Sequence, residues 1–268
     1  MTLSLIVPSL DGSLPAGLPS DPDIELIIVK GVSPVGRARN LGLRRSHGDY
    51  VAWADADDEL APGWWPTVRA ALTQPVDAVF LDYVRVSTAG ERPWIWSPTG
   101  RGPLADMLSS RLSPEVWRTV VRRELWQGLD FDESLPVAED YRLLPEVVAR
   151  IRTWTRVGVL YRYRVRADSL MHAPSSERTR HCLDAARDRA ERWRGTEWDD
   201  DAFAGAMRMA GWIDDTGSLR GETLPYIRRR WWRAMRSPRL SPWWKFKLTL
   251  QALRLGGILR PLYRLLAA

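Results

Sequence analysis

Four short runs of aliphatic and aromatic residues punctuate the first third of the chain, at residues 3–7, 24–29, 50–54 and 76–83. Each is bounded by Gly, Pro or Asp, which is the pattern of strands buried on both faces of a sheet. Between them the apolar spacing changes to a helical period. It is clearest over residues 36–46 (GRARNLGLRRS) and 62–72 (PGWWPTVRAAL), the second with a proline at its predicted first turn. Strands alternating with helices predict a parallel-sheet α/β unit over residues 1–90, and in such sheets ligands sit beyond the carboxyl ends of the strands.

Further along the pattern is mixed, and then purely helical. A Trp94-Ile95-Trp96 alternation, strand-like runs at 116–121 and 157–165, and a helix over 140–151 occupy the middle of the chain. Four helical segments follow, at 177–193, 198–213, 224–235 and 242–255. No internal repeat is present, so the expected organisation is a catalytic-type domain over 1–174, divided into halves at 90/91, a helical appendage over 175–222 and a terminal tail over 223–268.

Composition narrows the class. With 45% hydrophobic and 27% charged residues the chain is neither disordered nor fibrous. Its longest stretch without a charged side chain is residues 1–10, far short of the ~20 residues that span a bilayer. The opening MTLSLIVPSL lacks a basic leader and a cleavage site and reads as a first strand, which points to a cytoplasmic protein. Cys182 is the single cysteine, so neither an internal disulfide nor a thiolate metal cluster is available. The net charge of +6 is local: Glu222 is the last acidic residue and 11 basic residues follow it, leaving 28 basic against 33 acidic residues in 1–222.

The densest candidate chemistry is YVAWADADDE, residues 50–59. A buried strand ends at Ala54 and delivers Asp55, Asp57 and Asp58. In extended backbone, residues two apart point the same way, so Asp55 and Asp57 can share one hard divalent cation, Mg²⁺ or Mn²⁺. Such a cation bridges phosphate oxygens and stabilises charge on a departing diphosphate. Alternatively, Asp58 or Glu59 caps the following helix and the others are solvated. A second acidic pair, Glu139-Asp140, opens a predicted helix. It either aims a general base into a cleft or simply complements the helix dipole. His172, in a loop, is a third metal ligand or a solvated side chain. Trp94 and Trp96 share one face of a predicted strand, as a sugar-stacking platform or as core.

Read together, LSLIVPS, IELIIV, GRARNLGLRRSHGDYVAWADADDELAPGWW and the downstream VWRTVVRRELWQGLDFDESLPVAEDYRLLPEVV resemble the GT-A fold of family 2 glycosyltransferases, a Rossmann-like, mostly parallel sheet flanked by helices. The resemblance implies a nucleotide-sugar donor and an Mn²⁺ or Mg²⁺ ion. It implies donor contacts from Pro8, at the end of the first strand, and from Arg39 and Asp55. Metal ligation would fall to Asp55, Asp57 and His172. Asp140, with Glu139 beside it, would be the catalytic base of an inverting transfer to a glycan or lipid-linked acceptor. The family's acidic turn after the second strand is replaced by Lys30-Gly31-Val32-Ser33. Rival readings are a nucleotidyltransferase and a catalytically impaired, membrane-docked scaffold of the same fold.

The tail has its own pattern. Wound as one helix, residues 242–266 bring Trp244, Leu248, Leu255, Leu259, Leu262 and Leu266 into a 60° sector with the basic residues outside it. Arg and Lys interleaved with Trp suit a headgroup layer, so the expected partner is an anionic membrane, at the inner face of the cell membrane. The alternative is packing of that stripe on the catalytic domain. With an acidic body and amphipathic spacing, nucleic acid is not an expected partner.

Overall fold

The computed structural model describes residues 1–165, 176–216 and 219–253. Its strands are β1 (Leu3–Ser9), β2 (Ile24–Lys30), β3 (Tyr50–Trp53), β4 (Glu59–Leu60), β5 (Ala78–Ser87), β6 (Gly90–Trp94), β7 (Thr119–Arg122) and β8 (Trp154–Arg164). Its α-helices are α1 (Val35–Arg45), α2 (Trp64–Leu72), α3 (Pro103–Leu108), α4 (Glu139–Val148), α5 (Ser176–Arg192), α6 (Asp199–Thr216), α7 (Arg220–Arg236) and α8 (Pro242–Ala252). The chain divides into two compact units, Met1–Ser97 with Pro114–Ala173, and Pro98–Ser113 with Pro174–Ala268.

In the first unit the sheet runs β2-β1-β3-β7-β5-β8-β4, with β6 added to β5. The β1–β2, β1–β3 and β5–β8 ladders are parallel, and β7 lies antiparallel between β3 and β5. Glycine sets the spacing of α1 against this sheet. A β-carbon at Gly42 would stand 2.3 Å from Ile6 Cγ2, and one at Gly48 would stand 2.6 Å from the Ser4 backbone nitrogen. At Pro8 the chain loses a donor that the β1–β3 ladder does not need: that register ends at Ile6, whose carbonyl accepts from Ala54 N at 3.0 Å, and only the β1–β2 pairing continues past it to Ser9.

Three local expectations change. β2 is an edge strand with an alternating face, and Leu26 and Ile28 are exposed, because the Pro- and Gly-rich segment before it forms no helix to cover them. α2 begins at Trp64, after Gly63 in a left-handed conformation (φ 81°), so Pro62 precedes the helix instead of opening it. Trp94 and Trp96 do not form one platform: Trp94 is exposed on β6 and stacks on Tyr83, whereas Trp96 lies past the strand end, buried against Phe80 and Trp154.

The second unit is helical and joins what the sequence divides. Residues 98–113, expected in the acceptor-side half, contribute α3, and α5 to α8 share one core containing Leu183, Phe203, Met207, Ile227, Ala234 and Leu248. The boundary drawn at 222/223 therefore crosses a packed interior. α6 is the hub because its small residues admit close neighbours: β-carbons at Gly205 and Gly211 would meet Leu108 O at 2.0 Å and Leu248 Cδ2 at 3.2 Å. Buried Arg208 on the same helix donates to the carbonyls of Ser109 and Arg239. Leu248 is fully buried and Trp244 packs on this core, so that part of the tail's apolar stripe faces protein. Leu255 and the residues after it lie outside the described residues.

These contacts predict opposite signs for two glycine substitutions. Gly42→Ala should destabilise the protein by about 1–3 kcal/mol through overlap with Ile6. Gly221→Ala, in α7 with nothing near its β-carbon position, should stabilise it by about 0.5–1 kcal/mol. Denaturant unfolding of the two variants measures both.

Candidate active site

β3 delivers the acidic segment at its carboxyl end, where the backbone turns at once. Asp58 N donates to Asp55 O at 3.1 Å, so the segment is a turn and not the extended backbone expected, and the carboxylates of Asp55 and Asp58 go to different partners. Asp55, partly exposed, accepts from Arg39 Nη2 at 3.1 Å. Asp58 points inward, accepting from Tyr161 Oη at 2.8 Å and from Arg164 N at 2.8 Å. It caps no helix. Tyr161 Oη in turn accepts from Asp55 N at 3.0 Å, which pins the turn from below. Asp57 lies between, partly exposed. Burial, with the charge of Asp55 added, pushes the Asp58 pKa up to about 8.

Arg39 joins this turn to the second acidic pair. Its side chain is only 5% exposed, and Nη1 donates to Glu139 Oε1 while Nη2 holds Asp55. The flanking carboxylates hold it firmly protonated against the cost of burial. Phe131 covers it, with the guanidinium carbon 5.7 Å from the ring centre. The next residue works in parallel: Asn40 Nδ2 donates to Phe131 O at 2.9 Å, and Asn40 Oδ1 accepts from Phe131 N at 2.8 Å. The two neighbouring side chains thus fasten α1 to the chain that leads into α4.

α4 begins after Ala138, which adopts a left-handed conformation (φ 66°) costing a residue with a β-carbon about 1 kcal/mol. That bend separates the acidic pair. Glu139 turns inward to Arg39, while Asp140 keeps an exposed edge and accepts from Tyr141 N at 2.8 Å. Burial first, and then the charge of Glu139, raise the Asp140 pKa well above the ordinary carboxylate range, and Arg39 opposes them.

The fold therefore gathers Arg39, Asp55, Glu139 and Asp140 from three separated segments. Pro8 lies two residues past the last β1–β3 pair, Ile6 with Trp53. His172 lies outside the described residues. Among the described residues no three His, Cys, Asp or Glu side chains form a self-sufficient metal site. Sequence reasoning missed Tyr161, which holds the turn and stacks on Trp117 with centroids 4.3 Å apart. Its signal was the YRYR alternation, which puts Tyr161 and Tyr163 on one face, both stacked on Trp117.

Residues 15–120 match the family model for glycosyl transferase family 2. Over 146 residues the chain is 24% identical to the minor teichoic acid biosynthesis protein GgaB of Bacillus subtilis (strain 168), a match covering 50% of this chain and 16% of that protein. The fold is similar to that of S. aureus TarS 1–349 in complex with UDP-GlcNAc, with a TM-score of 0.63 and 14% identity, covering 98% of this chain and 92% of that one. It is also similar to the mannosyltransferase PcManGT of Pyrobaculum calidifontis in complex with GDP-Man and Mn²⁺, with a TM-score of 0.50 and 15% identity, covering 94% and 86%.

The buried Asp58 gives a pH signature. Its folded pKa of about 8 exceeds the ordinary value of 3.8, so the folded state holds a proton that the unfolded chain releases, and stability falls as pH rises from about 4 to about 8. In metal-free protein, Asp58→Asn should flatten that decline in melting temperature. An unchanged slope would show that Asp58 ionises without penalty.

Proposed function

From a chain that belongs to glycosyl transferase family 2 and carries its GT-A fold, we propose transfer of a sugar from a nucleotide-sugar donor to a glycan or lipid-linked acceptor, with inversion at the anomeric carbon. The observation that carries this reading is the Arg39 bridge, which sets Asp55 and the Glu139-Asp140 pair around one site. The UDP-GlcNAc complex of TarS and the GDP-Man complex of PcManGT support a nucleoside-diphosphate sugar as donor. Similarity to a protein of minor teichoic acid biosynthesis supports an acceptor on an envelope polymer. An acceptor of that kind, together with a nucleotide-sugar donor, fits an enzyme working at the cytoplasmic face of the membrane.

The donor set suits a hard divalent cation. Asp55 and Asp57 offer carboxylate oxygens only, and Mg²⁺ or Mn²⁺ binds through one or two carboxylates with substrate phosphates completing the shell. Asp55 and Asp57 would hold the ion, with His172 as a further ligand, and the ion would supply electrostatic stabilisation to the departing diphosphate.

The chain's own residues do the rest. Asp140 takes the proton from the acceptor hydroxyl; the freed oxygen bonds to the anomeric carbon as the carbon–diphosphate bond breaks and its electron pair leaves with the nucleotide. Glu139 is a positioning residue, because its carboxylate is committed to Arg39. Arg39 fixes the orientation of Asp55 from inside the protein. Since Asp140 works as a base only when ionised, and its pKa is raised, activity is lost as pH falls through a value above the ordinary carboxylate range.

Two substitutions test this division of labour. Asp140→Asn should bind the nucleotide donor as the wild type does but turn over about 10² to 10⁴ times more slowly, with loss of the acid limb of the pH profile. Lost donor affinity with surviving turnover would make Asp140 a binding residue. Asp57→Asn should remove the extra thermal stabilisation that Mn²⁺ adds to a nucleoside diphosphate, with the fold intact by circular dichroism, and undiminished Mn²⁺-dependent transfer would refute the metal assignment.

A further inference from the structure

The stripe that the sequence marks as apolar in the tail, Trp244 and Leu248, is turned into the helical core, yet the opposite side of the same two helices is also apolar. Trp243 and Phe246 on α8 and Leu253 at its C-terminal cap recur at helical spacing and are 42%, 52% and 62% exposed. On α7, Trp232 is 69% exposed, and Arg229 and Arg236 flank it at three and four residues, on one face of the helix. That face points away from the core because Ile227, Ala234 and Leu248 are buried on the inner side.

The two faces adjoin. Trp231 Nε1 donates to Thr249 Oγ1 at 3.0 Å and Arg228 Nε to Ala252 O at 2.8 Å, which sets α7 and α8 side by side and antiparallel. Trp231 and Trp232 are in edge contact, and so, tilted, are Trp243 and Phe246. Charge distinguishes this face from an ordinary exposed patch. Three other basic residues of the tail pair with carboxylates inside the helical unit, Arg233 with Asp199, Arg239 with Asp201 and Lys247 with Asp215, while Arg228 donates to the Ala252 carbonyl and Arg230 lies over the Tyr226 ring. Arg229 and Arg236 have no carboxylate partner among the described residues, and no acidic residue occurs after Glu222.

We propose that the outer face of the α7–α8 hairpin docks on an anionic phospholipid surface, with Trp232, Trp243, Phe246 and Leu253 in the headgroup layer and Arg229 and Arg236 against lipid phosphates. The occupant follows from chemistry: aromatic rings are favoured at the headgroup level, and unpaired guanidinium groups beside them select a negative surface. This rests on the membrane location proposed above and changes which residues make the contact. The stripe read from sequence keeps the helices together, and its reverse side meets the lipid.

The test is co-sedimentation of the full chain with vesicles of phosphatidylcholine alone and of phosphatidylcholine with phosphatidylglycerol in equal parts. The wild type should bind the anionic vesicles and not the neutral ones. Two exposed-site double variants, W232A/F246A and R229Q/R236Q, should keep the wild-type melting temperature. The first should bind at least about tenfold more weakly, and the second about 30-fold more weakly, at roughly fivefold per basic residue. Brominated anionic lipid should quench wild-type tryptophan emission more than that of W232A/F246A. If the wild type binds anionic vesicles and both variants bind equally well, the membrane location stands and this face is the wrong one. If the wild type binds neither vesicle, the membrane location fails and this proposal with it. If the wild type sediments as a dimer that W232A/F246A dissociates, a second copy covers the face and the proposal is overturned.

Discussion

The candidate site depends on a buried guanidinium. Arg39 lies almost wholly inside the first unit, and removing such an ion from water costs several kcal/mol unless opposite charges meet it. Glu139 and Asp55 do so from two places remote in sequence, so the cost of burying Arg39 is offset only when α1, the turn after β3 and the start of α4 are all in position. Arginine suits the task better than lysine because its planar fork addresses two carboxylates from fixed directions. The constraint extends to the neighbours. Asn40 fastens α1 to Phe131, and Ala138 accepts a left-handed backbone so that Glu139 can face inward while Asp140 keeps an exposed edge.

The same arrangement divides four carboxylates by role. Asp55 and Glu139 share one arginine, Asp58 is buried against a tyrosine and a backbone amide, and Asp140 stands where burial and a neighbouring charge raise its pKa. Carboxylates of one chemical type thereby differ in what they can do, and for Asp58 and Asp140 it is burial that raises the pKa. Tyr161 supports this from the sheet side by engaging both ends of the Asp55–Asp58 turn.

In the helical unit the organising constraint is closeness of approach. α6 carries Gly205 and Gly211 where α3 and α8 come nearest, and Arg208 donates to carbonyls after α3 and after α7. The acidic start of α6 meets Arg233 and Arg239, so the basic stretch, as far as residue 253, is part of a folded, partly neutralised unit. What remains outward is selective: aromatic rings and two arginines on one side of the α7–α8 hairpin.

Much of this was legible in the sequence. Branched runs between Gly, Pro and Asp mark β1, β2, β3 and β5, since β-branched side chains suit a pleated strand. GRARNLG reads as a unit because each residue has a local reason: Arg39 for its ion pairs, Asn40 for its clamp and Gly42 for contact with Ile6. The acidic positions at the ends of β3 and the start of α4 were visible for the same reason, that side-chain type and position along an element suffice to suggest chemistry. What one dimension does not carry is which side of an element finds a partner. Leu26 and Ile28 are as apolar as their neighbours, but no helix covers them. Trp94 and Trp96 alternate, yet the strand ends between them, and Trp244 reads like Trp243 although only one of them packs on the core. Asp58 and Tyr161, 103 residues apart, became partners only when β8 crossed beneath the turn. Local propensity and spacing are properties of the chain, whereas burial, ionisation and the choice of outward face are properties of what another segment brings alongside.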